Sequence, residues 1–141
     1  MRHLCDSNVF LAAIIEAHPN HESARDWFDG LTESDTAEFC RATQNSVMRL
    51  LCQSLAPDYV PLTNRRAISI YRSLRRDSRI GFCAEPTGIE ETWLQFADTD
   101  DAAPKIWMDA YLAAFAIRAG IRFVTFDKGF RKYAGLDLVL L

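Results

Sequence analysis

Short apolar runs alternate with longer stretches of helical periodicity along almost the whole chain. That alternation is met by a sheet with helices packed on it and by little else. His3–Asp6, Ala37–Cys40, Phe82–Ala84, Phe123–Asp127 and Leu136–Leu141 read as strands. Ser7 and Asn8 are helix-capping residues ahead of Val9–Ile15, and a second helix runs from about His21 to Phe28 before Gly30. A third spans Thr43–Ser54 on Val47, Leu50 and Leu51. Thr63 or Asn64 then caps a fourth, whose apolar stripe is Ile68, Tyr71 and Leu74. Gly88–Phe96 is built on Ile89, Trp93 and Phe96. The last long helix follows Pro104, is apolar nearly all round and stops at Gly120, so it is expected to be central and buried. The order predicts a mostly parallel sheet flanked by helices on both faces, in one domain over residues 1–141.

The bulk numbers agree with one core. The chain has 141 residues, 49% hydrophobic and 25% charged, which excludes wholesale disorder. Its net charge of −3 argues against a general nucleic-acid binder, but the charge is unevenly spread. Six arginines against Asp77 give Thr63–Ile80 a charge of +5 and leave the remainder at −8. Arg65, Arg72, Arg76 and Arg79 are expected to share one face of that helix, either as a solvated surface or as a phosphate-holding one. Cys5, Cys40, Cys52 and Cys83 form no Cys-x-x-Cys pair and no zinc-finger spacing. Buried, reduced thiols in a cytoplasmic protein are the expectation. No apolar run approaches a membrane span. The weak likeness of Arg2 and Val9–Ile15 to a signal peptide is broken by Asp6.

Three acids stand out against this frame. Asp6 and Asp127 each end a strand, and Asp109 opens the alanine-rich helix. Ligands of open α/β sheets bind beyond the carboxyl ends of the strands. Carboxylates gathered there repel unless a divalent cation neutralises them. Magnesium takes oxygen ligands, keeps waters, and lowers the pKa of a bound water that attacks phosphorus. Taken singly, each aspartate is equally a cap or turn residue. His18 and His21 lack a third ligand and read as loop and cap residues, while Trp27, Trp93 and Trp107 read as core or interface aromatics.

Five ordered stretches resemble the PIN-domain ribonucleases, in particular their VapC-type toxin branch. These are Leu4-Cys5-Asp6-Ser7-Asn8-Val9-Phe10-Leu11, His18-Pro19-Asn20-His21 with Ala24 and Trp27, and Phe39–Gln44 with Arg49-Leu50-Leu51. Asp109–Ala114 and Val124–Phe130 complete the series. The resemblance implies a PIN-like three-layer sandwich and an endoribonuclease that leaves 5′-phosphate and 3′-hydroxyl ends. It implies Mg²⁺ or Mn²⁺ at Asp6, Asp109 and Asp127, with Gln44 assisting. It also implies the toxin role in a toxin–antitoxin pair, a small cognate antitoxin, a homodimer, and a structured RNA such as tRNA or rRNA as substrate. Many PIN domains place a glutamate where this chain has Gln44, so one negative charge is missing. Glu16 and Asp101 are candidate substitutes. Arg49 and the Arg65–Arg79 face are candidate RNA contacts. Two other readings remain open at this point: a degenerate PIN-like domain that binds without cleaving, and a receiver-like phosphoacceptor module. The receiver reading lacks that module's adjacent acidic pair, and Lys128 directly follows Asp127.

Overall fold

The sheet is built from five short parallel strands. The computed structural model describes all 141 residues, Met1 to Leu141. The strands are β1 (Arg2–Cys5), β2 (Thr36–Phe39), β3 (Ile80–Phe82), β4 (Arg122–Thr125) and β5 (Leu138–Leu140). Their spatial order is β3-β2-β1-β4-β5. Leu4 lies opposite Glu38 on one side of β1 and opposite Phe123 on the other. The sheet is parallel throughout, where a mostly parallel one was expected.

Six helices connect the strands: α1 (Ser7–Ile14), α2 (His21–Asp29), α3 (Arg41–Leu51), α4 (Asn64–Leu74), α5 (Ile89–Ala97) and α6 (Ile106–Ala119). Strand side chains alternate between two apolar layers, as the pleat requires. Leu4 and Phe123 face α5 and α6. Cys5, Ala37, Phe39 and Val124 face α1 to α4. In the second layer Phe10 stacks on Phe39, with ring centroids 3.6 Å apart and planes 8° from parallel.

Local chemistry sets the ends of the elements. Thr63 caps α4 by accepting from the Arg66 amide at 3.2 Å. Gly120 ends α6 at φ 63°, a left-handed conformation that favours glycine. α6 buries Ala110 and every residue from Leu112 to Ala116, as its apolar circumference predicts.

Several expectations need correction. The third strand lies at Ile80–Phe82, two residues ahead of the predicted run. α6 begins at Ile106, with Pro104 in the preceding turn. α4 ends at Leu74, so Arg75, Arg76 and Arg79 lie beyond it. Ile68 is 41% exposed, because Ala67 takes the buried position in its place. All four cysteines are free thiols, but Cys52 is only half-buried. No helix is long and apolar enough to cross a membrane.

Candidate functional site

β1 and β4 are neighbours, yet the chain leaves their carboxyl ends toward opposite faces of the sheet. α1 follows β1 into one layer, and Phe130, after β4, packs in the other. The backbone divergence opens a crevice at this reversal point. Asp6 directly follows β1, and Asp127 stands two residues beyond β4. α6 leads through Gly120 and Ile121 to the start of β4, so its first turn lies at the crevice end and carries Asp109.

Hydrogen bonds join the two strand ends. The Asp6 amide extends the ladder by donating to the Val124 carbonyl at 2.9 Å. Asp6 Oδ2 accepts from Thr125 Oγ1 at 2.7 Å and from Asn8 Nδ2 at 3.0 Å. Ser7 Oγ donates to Asp6 Oδ1 at 3.3 Å. The Asp127 amide donates to Thr125 Oγ1 at 3.0 Å, and the Phe126 amide donates to Asn8 Oδ1 at 3.3 Å. Thr125 therefore touches both acids' segments at once. Asp127 Oδ1 accepts from the Gly129 amide at 2.7 Å. A Cβ at residue 129 would lie 3.0 Å from that same oxygen, so glycine permits the close approach.

Electrostatics report the crowding. Burial raises the Asp6 carboxyl above its ordinary range; Thr125 and Ser7 oppose that, and Asp127 adds to it. Burial also raises Asp109, with Asp127 and Asp6 contributing through their charge, while Lys132 pulls the other way. No hydrogen bond offsets the cost at Asp109. The chain's five ion pairs use Asp29, Asp35, Glu38, Asp77 and Asp137, and none uses the three crevice acids.

Tyr133 stands near two of these acids, Asp109 and Asp127. It is 5% exposed, its hydroxyl is a buried polar atom without a partner, and burial with Asp109 and Asp127 pushes its pKa up to about 12. Lys132 Nζ sits 5.1 Å from the Tyr133 ring centroid.

The donor set suits a hard cation. It consists of oxygens, carries uncompensated negative charge and includes an unpartnered hydroxyl nearby. No three of the His, Cys, Asp and Glu side chains are clustered closely enough to enclose an ion by themselves.

The other candidates fall outside this cluster. Gln44 Oε1 accepts a hydrogen bond from the Arg41 guanidinium. Glu16 and Asp101 are exposed, and neither contributes to the charge felt by Asp6 or Asp109. Arg65, Arg72 and Arg76 line one open recess with Ile68 and Ser69. Arg79 does not join them, contrary to expectation. Asp77 takes its guanidinium at 2.9 Å, and the Phe28 and Leu31 carbonyls accept from it at 3.2 Å. Arg49 lines a separate recess between α3 and α4. His18 and His21 serve the loop: His18 Nδ1 accepts from the Asn20 amide at 3.1 Å, and His21 Nδ1 lies 2.8 Å from the Ala12 carbonyl. An apolar recess of about 470 Å³ lies between α1, α2 and α4 and contains none of the three crevice acids.

Thr125, Lys132 and Tyr133 went unnoticed as site residues in the sequence. Thr125 lies inside the Val124–Asp127 stretch, one of the ordered motifs. Nothing local marks Tyr133, whose hydroxyl gains meaning only from the acids near it.

The chain belongs to the PIN-domain family, whose model matches residues 4–136. Within it, the chain is 44% identical to ribonuclease VapC41 of Mycobacterium tuberculosis, covering 98% of this chain and 97% of the relative. Among solved structures, VapC20 of M. tuberculosis, described as a sarcin–ricin-loop-cleaving toxin, superposes with TM-score 0.69. It is 14% identical, and the match covers 96% of this chain and 97% of that one. A chain of a toxin–antitoxin complex from Klebsiella pneumoniae superposes at 0.60, with 14% identity and coverage of 97% and 95%. At such identity these two establish the shared fold. The receiver-like alternative does not survive the family match.

Proposed function

We propose that this protein is a metal-dependent endoribonuclease of the VapC type, acting at the crevice of Asp6, Asp109 and Asp127. The carrying observation is that three acids outside every ion pair of the chain feel one another's charge, two of them holding their protons more tightly through burial and mutual repulsion. The match to VapC41 over nearly the full length supports the ribonuclease activity.

Asp6 and Asp109 would be the principal ligands of Mg²⁺ or Mn²⁺, and Asp127 would complete the set or orient water. A bound divalent cation supplies water activation and offsets charge developing on the phosphate. The remaining work falls to side chains of this chain. Thr125 and Asn8 fix the Asp6 carboxylate, so that one oxygen is committed to hydrogen bonds and the orientation of the other is set. The Gly129 amide does the same for Asp127. The Tyr133 hydroxyl would donate to a water or carboxylate oxygen once the site is filled. The products would carry 5′-phosphate and 3′-hydroxyl ends.

Toxin activity held by a small antitoxin is assigned on the resemblance to the VapC branch and on the toxin–antitoxin neighbour. A cytoplasmic location accords with reduced thiols and with RNA as substrate, tRNA or rRNA being the structured candidates. A homodimer is assigned on the same family grounds. Leu94, Trp107 and Met108, each nearly half exposed on α5 and α6, offer apolar surface for it.

Induced expression of wild type beside Asp109→Asn, followed by mapping of RNA 5′ ends, tests the activity. New ends with wild type alone support it. Growth arrest without new ends overturns it.

A further inference from the structure

Arg41 is a cation with no carboxylate. The chain's ion pairs engage the amino terminus, Arg2, Arg25, Arg79 and Arg122, and leave Arg41 out. Its guanidinium is nonetheless held in place. It donates to Gln44 Oε1, and its carbon lies 4.8 Å from the centroid of the Phe82 ring. Both contacts are with neutral groups, so the charge is oriented without being cancelled.

The same contact decides what Gln44 presents. A guanidinium only donates, so the amide atom facing it is the oxygen. The Gln44 oxygen is therefore in use, and its amino group makes no hydrogen bond within the protein. Together the pair offers N–H groups, and its one carbonyl oxygen already accepts from a cation, which disfavours a second cation there. A metal ligand needs the opposite arrangement. A carboxylate at residue 44 would pair with Arg41 and quench it; the amide holds Arg41 while leaving it charged.

Position completes the picture. β1 and β2 run in parallel with Leu4 opposite Glu38, so carrying the register two residues on sets Asp6 opposite Cys40, the residue just before α3. Neighbouring strands are about 4.8 Å apart. Phe82 ends β3, the next strand outward, opposite Phe39. Along one edge of the sheet the order is then Phe82, the Arg41–Gln44 turn, Asp6 and Asp127. A fixed cationic donor pair thus follows the strand next to the one that ends at Asp6.

We propose that Arg41 and Gln44 form a phosphate clamp, which holds the RNA backbone at a phosphate next to the one being cleaved. Gln44 is a positioning residue that presents donors, and it is not a metal ligand. The inference deepens the ribonuclease reading and rests on it.

The test uses the full chain, a 12-nucleotide oligouridine as RNA probe in EDTA, and Mn²⁺ alone as metal probe. Arg41→Gln should weaken RNA binding and lower the slope of log affinity against log salt by about 0.7, the value for one phosphate contact on a single strand. Gln44→Glu is the discriminating variant. It should weaken RNA binding as Arg41→Gln does, because the new carboxylate neutralises Arg41, and should leave Mn²⁺ affinity within about twofold, where loss of a group supporting a metal site typically costs 10–100-fold. Unchanged RNA binding in both variants, or a tenfold gain in Mn²⁺ affinity with Gln44→Glu, would overturn the clamp. Failure of the ribonuclease reading is separately visible, since it is the wild type that then yields no new RNA ends.

Discussion

Asp109 carries a burial cost in the crevice that no hydrogen bond offsets. It is half-buried, feels two neighbouring carboxylates and gains no hydrogen bond in return. Asp109→Asn should therefore abolish RNA cleavage and also stabilise the metal-free protein by about 1 kcal/mol, or about 2–4 °C in Tm. The sign depends on pH. A carboxyl whose folded pKa is raised contributes stability below its unfolded pKa and loses it as pH rises through the folded value. The advantage of Asp109→Asn should thus be full at pH 8 and shrink as acid protonates the wild type. Calorimetry of both proteins across that range checks it, and an advantage that grew toward pH 4 would contradict the assignment. Thr125→Val removes the donor to Asp6 at nearly constant shape. Mn²⁺ affinity or cleavage should fall by about 10–100-fold, the usual effect of losing a group that orients a ligand. Activity equal to wild type would show that Thr125 serves packing alone.

At the level of elements, the β1–β2 junction carries a half-buried ion pair that no periodicity announced. Glu38 is 5% exposed, and both its oxygens accept from the Arg2 guanidinium at 2.7 Å, with Thr36 Oγ1 donating at 2.9 Å. Burial raises the Glu38 carboxyl, but the bonds from Arg2 and Thr36 outweigh it, and the net shift is downward. Arg2→Met would strand a buried carboxylate, with an expected loss of about 2 kcal/mol, below the roughly 3–5 kcal/mol of a fully buried pair because Arg2 is half exposed. Urea denaturation of Arg2→Met and of Arg2→Met/Glu38→Leu measures this, and the double variant should recover most of the loss. The helices were the legible elements: spacing marked α1 to α6 within a few residues and Thr63 caps α4, whereas Ser7 and Asn8, expected as caps, lie inside α1 behind Asp6 and turn their side chains to that carboxylate. β3 was misplaced because a three-residue strand has too few positions to show alternation. The arginine face was overextended for a similar reason. Helical spacing groups Arg79 with Arg65 and Arg72, but α4 stops at Leu74, and Asp77 draws Arg79 to the end of α2.

For the whole molecule, the proposed metal acts as a stability switch as well as a reagent. A ligand that binds the folded state stabilises in proportion to its concentration over its Kd. Mg²⁺ held by the crevice acids would compete with protons for them, so its stabilisation should be larger at pH 8 than at pH 5, and EDTA should remove it. Thermal melts with and without 10 mM Mg²⁺ (about 100-fold over a Kd near 0.1 mM would give roughly 2.7 kcal/mol) check this. An equal shift at both pH values would place the ion elsewhere. Sedimentation velocity tests the proposed dimer. Trp107→Glu should move it toward monomer if the α5–α6 surface is the contact.

The sequence alone determined the class of the fold and the order of helices and strands, and it singled out Asp6, Asp109 and Asp127 as the candidate acids. Those follow from periodicity, caps and motif order, all properties of neighbouring residues. Tertiary structure alone decided the strand order β3-β2-β1-β4-β5, and with it that Asp6 and Asp127 end adjacent strands. It also decided that Thr125 bridges them, that Tyr133 lies buried beside the acids, and that Gln44 is bound to Arg41. The physical reason is range: pairing between residues 119 positions apart, as between Thr125 and Asp6, is fixed by which strands share a ladder and by how the core packs beneath them.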